Sequence, residues 1–313
     1  MSQQYVIGID IGGTNTAYGL VDSKGAVHQQ GSIPTKGYST ALQYVKALGK
    51  ELAPIIKKVK RQNIKGVGMG APSANYYTGE IVNAPNLDWQ GVIPMAKLLS
   101  EELGLDVKIT NDANAAAIGE MQYGVAKGIK DFIMLTLGTG VGSGIVANGQ
   151  LVYGHDGFGG EVGHMIAVRE GRECNCGRLG CLERYASATG VAITAEKWLD
   201  VRTDKSMLRD FRGKITAKIV YDIALTGDKL ALDVFDYTGM ILGQTLADVV
   251  AVTSPKAIVF FGGLAKAGDL LLKPTKKYME QNLLHLYKKK VAFLESQLPD
   301  TEAAILGASA LAW

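Results

Sequence analysis

All three cysteines of the chain fall within one short segment, CNCGRLGC, from Cys174 to Cys181. In a reducing compartment, clustered thiols are more often metal ligands than disulfide partners. Structural zinc takes four protein ligands in a tetrahedron. His164, in the upstream segment GEVGH, supplies the fourth, with His155 the other histidine nearby. His164, Cys174, Cys176 and Cys181 therefore read as a closed Cys3His site, structural rather than catalytic. The glycines between Cys176 and Cys181 let the loop wrap around an ion. Free thiols in a flexible loop, or a transient disulfide, are the alternative.

Such an ion would fix Glu161 and Glu183, which flank its ligands, relative to each other. Two carboxylates on a rigid loop can accept hydrogen bonds from adjacent hydroxyls of a polyol; singly, each reads as a surface charge. Two glycine turns carry a second chemistry. In DIGGTNT, Gly12, Gly13 and Thr14 can present backbone N–H groups and a hydroxyl to an anion, with Asp10 beside them to hold a cation. In LTLGTGVGSG, Gly138, Thr139 and Gly140 repeat the pattern. Neither is a Walker A loop or a dinucleotide fingerprint, and a hairpin that merely needs glycine is the plainer reading of either alone. Asp112, in NDANAAA, opens a helix and by itself reads as a cap. At the mouth of a ligand cleft it would instead be placed to take a proton from a hydroxyl.

The elements that must position these groups are legible from periodicity. Tyr5 to Ile11 reads as a buried strand, AYGLVD as a second and Ala26 to Ile33 as a third. Ser39 to Lys60 has helical spacing, KGVGMGAP is a further strand, and Val107 to Thr110 a short one. DFIMLTLGTGVGSGIVANGQLV repeats the opening strand, glycine turn and strand. That repeat predicts two domains built on one plan, with ligand between them. Ala186 to Ser254 reads as mostly helical, KAIVFFGGLA as a late buried strand, and the segment from Thr301 onward as an apolar helix.

The composition excludes several classes. A net charge of +3 is too small to imply a nucleic-acid or membrane surface. The runs KKVKR and LYKKK read as solvated helix faces. No apolar run reaches the ~20 residues of a membrane span, and the N-terminus lacks a signal-peptide pattern, so a cytoplasmic protein is expected.

Taken in order, DIGGTNT, NDANAAA, LTLGTGVGSG, GEVGH, CNCGRLGCLE and FFGGLA resemble the ROK family, which contains bacterial sugar kinases, glucokinases prominent among them, and related repressors. The resemblance implies an α/β, two-domain actin-like or hexokinase-like ATPase fold with a duplicated ribonuclease-H-like core and an interdomain cleft. Its domains would be residues 1–111 plus 301–313, and residues 112–300 with the zinc loop. It implies ATP-dependent phosphorylation of a hexose, glucose first, with an N-acetylhexosamine, fructose or allose as alternatives, or a non-catalytic sugar-responsive regulator.

Residue by residue, Asp112 resembles the catalytic base, and Asn86, Asn111, Glu161, His164 and Glu183 resemble sugar contacts. Gly12, Gly13 and Thr14, and Gly138, Thr139 and Gly140, resemble the phosphate loops. Gly262 and Gly263 resemble the adenosine-side turn, and Asp10 the partner of Mg2+. The family often forms homodimers. Its repressors carry a winged helix-turn-helix before the core, and with a first strand at Tyr5 an enzyme is expected. One departure is Pro72-Ser73, where many relatives have Pro-Gly, followed by the aromatic loop ANYYTGE.

Overall fold

A computed structural model describes residues 3–299 and 302–313. Contacts divide the chain into two units. One gathers Met1–Ile129, Gly144–Gly160 and Ser296–Trp313, the other Lys130–Ser143 and Glu161–Glu295.

In the first unit, β1 (Tyr5–Ile11), β2 (Asn15–Asp22) and β3 (Val27–Pro34), the three opening strands expected, form an antiparallel meander. β4 (Ile64–Gly70) joins the free edge of β1 in parallel, giving the order β3-β2-β1-β4 and then β7 (Val107–Thr110). A two-stranded ribbon, β5 (Ile81–Val82) and β6 (Val92–Ile93), carries no signal strong enough to read from sequence. Successive strand residues face opposite sides of a sheet. Ile7, Ile9 and Ile11 accordingly join a core with Tyr44, Leu48 and Leu52 of α1 (Ala41–Val59) and Leu99 of α2 (Met95–Leu103). Val6 and Val21 pack instead with Ile305 and Leu306 of the C-terminal helix.

That second face is paved with glycine. A Cβ at Gly8 would lie 2.2 Å from the carbonyl oxygen of Ile305, and one at Gly68 only 1.9 Å from that of Ala308. The helix backbone therefore rests directly on β1 and β4. The helix α3 (Asp112–Gln122) lies against the same C-terminal helix, where Gly119 meets Gly307 backbone to backbone. This contact corrects the expected division at residue 111. α3 stays with the first unit, and so does the segment Gly144–Gly160, whose Gly144 abuts Ala117. The expected boundary at 300/301 lies outside the described residues.

The second sheet repeats the first. Its order is β10-β9-β8-β11-β12, formed by β8 (Phe132–Leu137), β9 (Val141–Ala147), β10 (Gln150–Leu151), β11 (Ala257–Phe261) and β12 (Ala292–Glu295). β8 and β11 are parallel, as are β11 and β12. Numbered by appearance, both sheets read third, second, first, fourth, fifth. This is the duplicated ribonuclease-H-like plan of two-domain ATPases. The division between the units falls inside β9, between Ser143 and Gly144. Asn148 and Gly149, both at positive φ, close β9 onto β10 as a two-residue hairpin turn. The helices are α4 (Glu183–Ala186), α5 (Ala188–Val201), α6 (Ala217–Ala224), α7 (Lys229–Thr253), α8 (Asp269–Asn282) and, in the first unit, α9 (Ala303–Ser309).

Of the two basic runs, Lys57 and Lys58 occupy the exposed last turn of α1, as expected. Lys288 to Lys290 sit instead on an exposed turn leading into β12. Among the described residues, no helix is long and apolar enough to cross a membrane.

The glycine-paved face makes a direct prediction. Gly68→Ala forces α9 away from the sheet and should cost about 1–3 kcal/mol, the range for overpacking a closed interface. Urea denaturation of the variant measures it; an unchanged midpoint would mean that α9 is not held by this contact.

Candidate active site

Ligands of open α/β sheets bind beyond the carboxyl ends of the strands. In the first unit, β1 delivers Asp10 there, and the step from β7 into α3 delivers Asn111 and Asp112. Asn111, not Asp112, is the cap of α3: its Oδ1 accepts from Asn114 N at 2.7 Å. Asp112 is the first helical residue and is exposed, with Oδ1 accepting from Ala113 N at 2.8 Å. The capping work is done by a neighbour, so the Asp112 carboxylate is not committed to it.

Gly70, at the end of β4, makes room between the two acids. A Cβ there would stand 3.4 Å from Asp10 Oδ1 and 3.8 Å from Asp112 Cα. Burial first, and then the charge of Asp112, push the Asp10 carboxyl up from 3.8 to about 6. Next to this pair, Gly12 to Thr14 form the tight turn between β1 and β2. Gly12 N donates to Asn15 O at 3.0 Å, and Thr35 N donates to Thr14 O at 2.8 Å. Asn86 lies against this turn, its Cβ 3.1 Å from where a Cβ of Gly13 would be. At the departure noted in the sequence, Ser73 holds φ +52°, a conformation that glycine adopts freely. The aromatic loop after it is organised by stacking: the Tyr76 and Tyr153 rings lie 4.1 Å apart and nearly parallel.

In the second unit, Gly138 to Gly140 turn between β8 and β9, with Gly138 N donating to Gly140 O at 3.0 Å. The turn borders a cavity of about 660 Å³ that is also lined by Ala188, Ala217, Lys218, Tyr221, Phe235, Gly263, Leu264, Lys266 and Ala267. Of the two glycines expected on the adenosine side, Gly263 lines this cavity and Gly262 does not. Gly262 turns the chain at φ +100°, where a Cβ would strike Leu137 O at 2.6 Å. The walls contributed by α5, α6 and α7 were missed in the sequence. Apart from Lys218 they are apolar or aromatic helix residues, with no glycine or acid to mark them.

The four expected metal ligands do converge. Their donor atoms lie within 4.8 Å of one another, Cys176 Sγ 3.6 Å from Cys181 Sγ and His164 Nδ1 3.8 Å from Cys174 Sγ. A tetrahedron with metal–sulfur bonds of about 2.3 Å puts its sulfurs ~3.8 Å apart, so these residues fit such an ion. Burial, followed by the two neighbouring thiols, pushes the Cys181 thiol up to about 12. A bound cation would displace that proton. Glu161 is exposed at the start of the short turn that carries His164, and Gly163 in that turn presses on β9, where a Cβ would meet Val141 O at 2.0 Å. Glu183 is half-buried at the start of α4. Of the expected sugar contacts, Asn86, Asn111 and Asp112 thus belong to the first unit, and Glu161, His164 and Glu183 to the second.

A duplicated core, a glycine turn after the first strand of each copy, and an acid pair at the strand ends define an ATPase of the actin-like, hexokinase-like class. The ROK family profile matches residues 6–313, and the chain belongs to that family. A glucokinase of Halalkalibacterium halodurans is 39% identical over 288 residues, spanning 90% of this chain and 86% of its own. An N-acetylmannosamine kinase of Citrobacter koseri is 28% identical over 306 residues, 98% of each. The crystal structure of a ROK family glucokinase from Streptomyces griseus, in complex with glucose and AMPPNP, superposes with a TM-score of 0.79 at 31% identity over 98% of each chain.

The raised Asp10 carboxyl has a signed consequence. The unfolded chain loses this proton near 3.8 and the folded one near 6, so rising pH weakens the fold across that window. Asp10→Asn should therefore raise Tm at about pH 7.5 and leave it nearly unchanged at about pH 3.5. Thermal denaturation at both pH values checks this; equal shifts at the two would show that the native carboxyl is not strained.

Proposed function

We propose that the protein transfers the terminal phosphoryl group of ATP to a hydroxyl of a hexose, glucose before others, with Asp112 as the general base. The chain is an ATP-dependent sugar kinase by family. The observation that carries the finer reading is the acid pair: an exposed carboxylate, free of capping duty, beside a buried one whose proton affinity is raised.

The roles follow from those environments. Asp112 accepts the sugar hydroxyl proton as that oxygen bonds to the γ-phosphorus. The bond to the β–γ bridging oxygen breaks, and ADP leaves with its electron pair. Asn86, Asn111, Glu161, His164 and Glu183 offer the acceptors and donors that would orient the sugar ring. The glycine turns at Gly12 to Thr14 and Gly138 to Gly140 would hold phosphates through backbone N–H groups. The cavity beside the second turn, with Tyr221 and Phe235 on its helical walls, suits a purine base, with Gly263 at its edge. Asp10 and its acidic neighbour suit a hard cation, and Mg2+ held there would supply positive charge against the phosphates. Zinc is the ion that the Cys3His set fits, in a structural role. A cytoplasmic homodimer completes the reading.

A panel of sugars in a coupled assay of ADP release tests the substrate. Glucose should give the highest kcat/KM. The N-acetylmannosamine kinase relative makes N-acetylhexosamines the second reading, which a higher value for those sugars would favour. ADP release with no sugar on the panel would leave a non-catalytic binder.

Asp112→Asn should keep sugar binding and lose turnover by about 10²–10⁴-fold. Normal turnover in that variant would remove the base role. Metal analysis should find about one zinc per chain, and prolonged chelation should lower Tm. A zinc-free protein of full stability would contradict the structural role.

A further inference from the structure

The Glu183 carboxylate has a second set of neighbours. Its Oε2 accepts from Val141 N at 3.1 Å, at the exit of the Gly138 to Gly140 turn. Its Oε1 stands 4.0 Å from Cys174 Sγ, one of the four converging ligands. A Cβ at Gly140 would lie 2.2 Å from Oε2, so the turn has no side chain there because the carboxylate fills the space. The chain just after Glu183 braces the same turn twice more. Ala188 N donates to Gly138 O at 2.8 Å, and Thr189 Oγ1 donates to Thr139 O at 2.9 Å. Ser187 Oγ donates to Glu183 O at 2.6 Å and fastens this brace to the residue itself.

We infer that Glu183 is a positioning residue for the phosphate turn, and that it couples the metal centre to nucleotide binding. The inference rests on the proposed nucleotide site and goes beyond the sugar-contact role given to Glu183 above. The physical chain is short. Cys181 and Cys174, tied to one ion, set the start of α4. The start of α4 sets the carboxylate, and the carboxylate sets the direction of the Val141 N–H and with it the turn. An unmet N–H at that point costs the turn its fixed shape. By reciprocity, a nucleotide that tightens the turn must also be felt at the metal.

The test uses AMPPNP without sugar, so that a sugar contact cannot contribute. Calorimetry on the zinc-loaded protein should show AMPPNP binding about tenfold weaker in Glu183→Ala than in wild type, the loss expected when a hydrogen bond to a charged acceptor is removed. Zinc content and Tm of the variant should stay close to wild type. A second arm leaves the sequence intact. With cobalt(II) in place of zinc, AMPPNP should shift the visible d–d bands of the wild-type protein and leave those of Glu183→Ala unmoved. AMPPNP affinity within twofold of wild type in the variant, or bands that AMPPNP does not move in wild type, would overturn the inference. A wild-type protein that binds no AMPPNP at all would remove the nucleotide site itself, and the inference with it.

Discussion

Two like charges held close at the end of a sheet are the constraint on which this structure turns. Asp10 is carried inward by β1, and its burial raises its proton affinity before Asp112 adds to it. Nothing in the packing of the sheet calls for an acid at that point. The fold tolerates it because Gly70 leaves space between the pair and because the cores on either face of the sheet are dense. Strain of this kind is typical of sites that await a charged ligand. Here it links stability to function directly, since the cation that would relieve the acids is also what phosphates need.

The second unit holds its glycine turn through hydrogen bonds. Its glycine turn is braced from the chain that follows Cys181, and that chain is itself held by Arg172. The guanidinium donates to Arg184 O at 2.7 Å and stacks on the Tyr185 ring at 4.4 Å. The cysteine loop is thus one end of a run of fixed contacts that finishes at Thr139.

What could be read from the sequence was whatever depends on local chemistry. The Gly12 and Gly138 turns, the Cys174 to Cys181 cluster with His164, and the apolar run of β1 are visible because backbone freedom, ligand type and hydropathy are properties of short segments. What could not be read depends on distant partners. The allegiance of α3 is decided by Gly119 meeting Gly307, residues far apart in the chain. Tyr221 and Phe235 look like any apolar helix residues until α6 and α7 bring them to one cavity. Asp112 was ambiguous for a subtler reason. Either Asn111 or Asp112 can cap a helix, and the folded backbone decides for Asn111. The turn at Ser73 shows the converse, a residue other than glycine held in the left-handed region.

The seat of α9 on β1 and β4 has a consequence for how the protein is made. A strand that ends at Ile11 waits for a helix that begins only at Ala303. At translation rates of about 5–20 residues per second, that wait is on the order of tens of seconds. Throughout it, the glycine floor of the sheet lies open on a nascent chain. Until its own lid arrives, that surface is open to contacts with other chains.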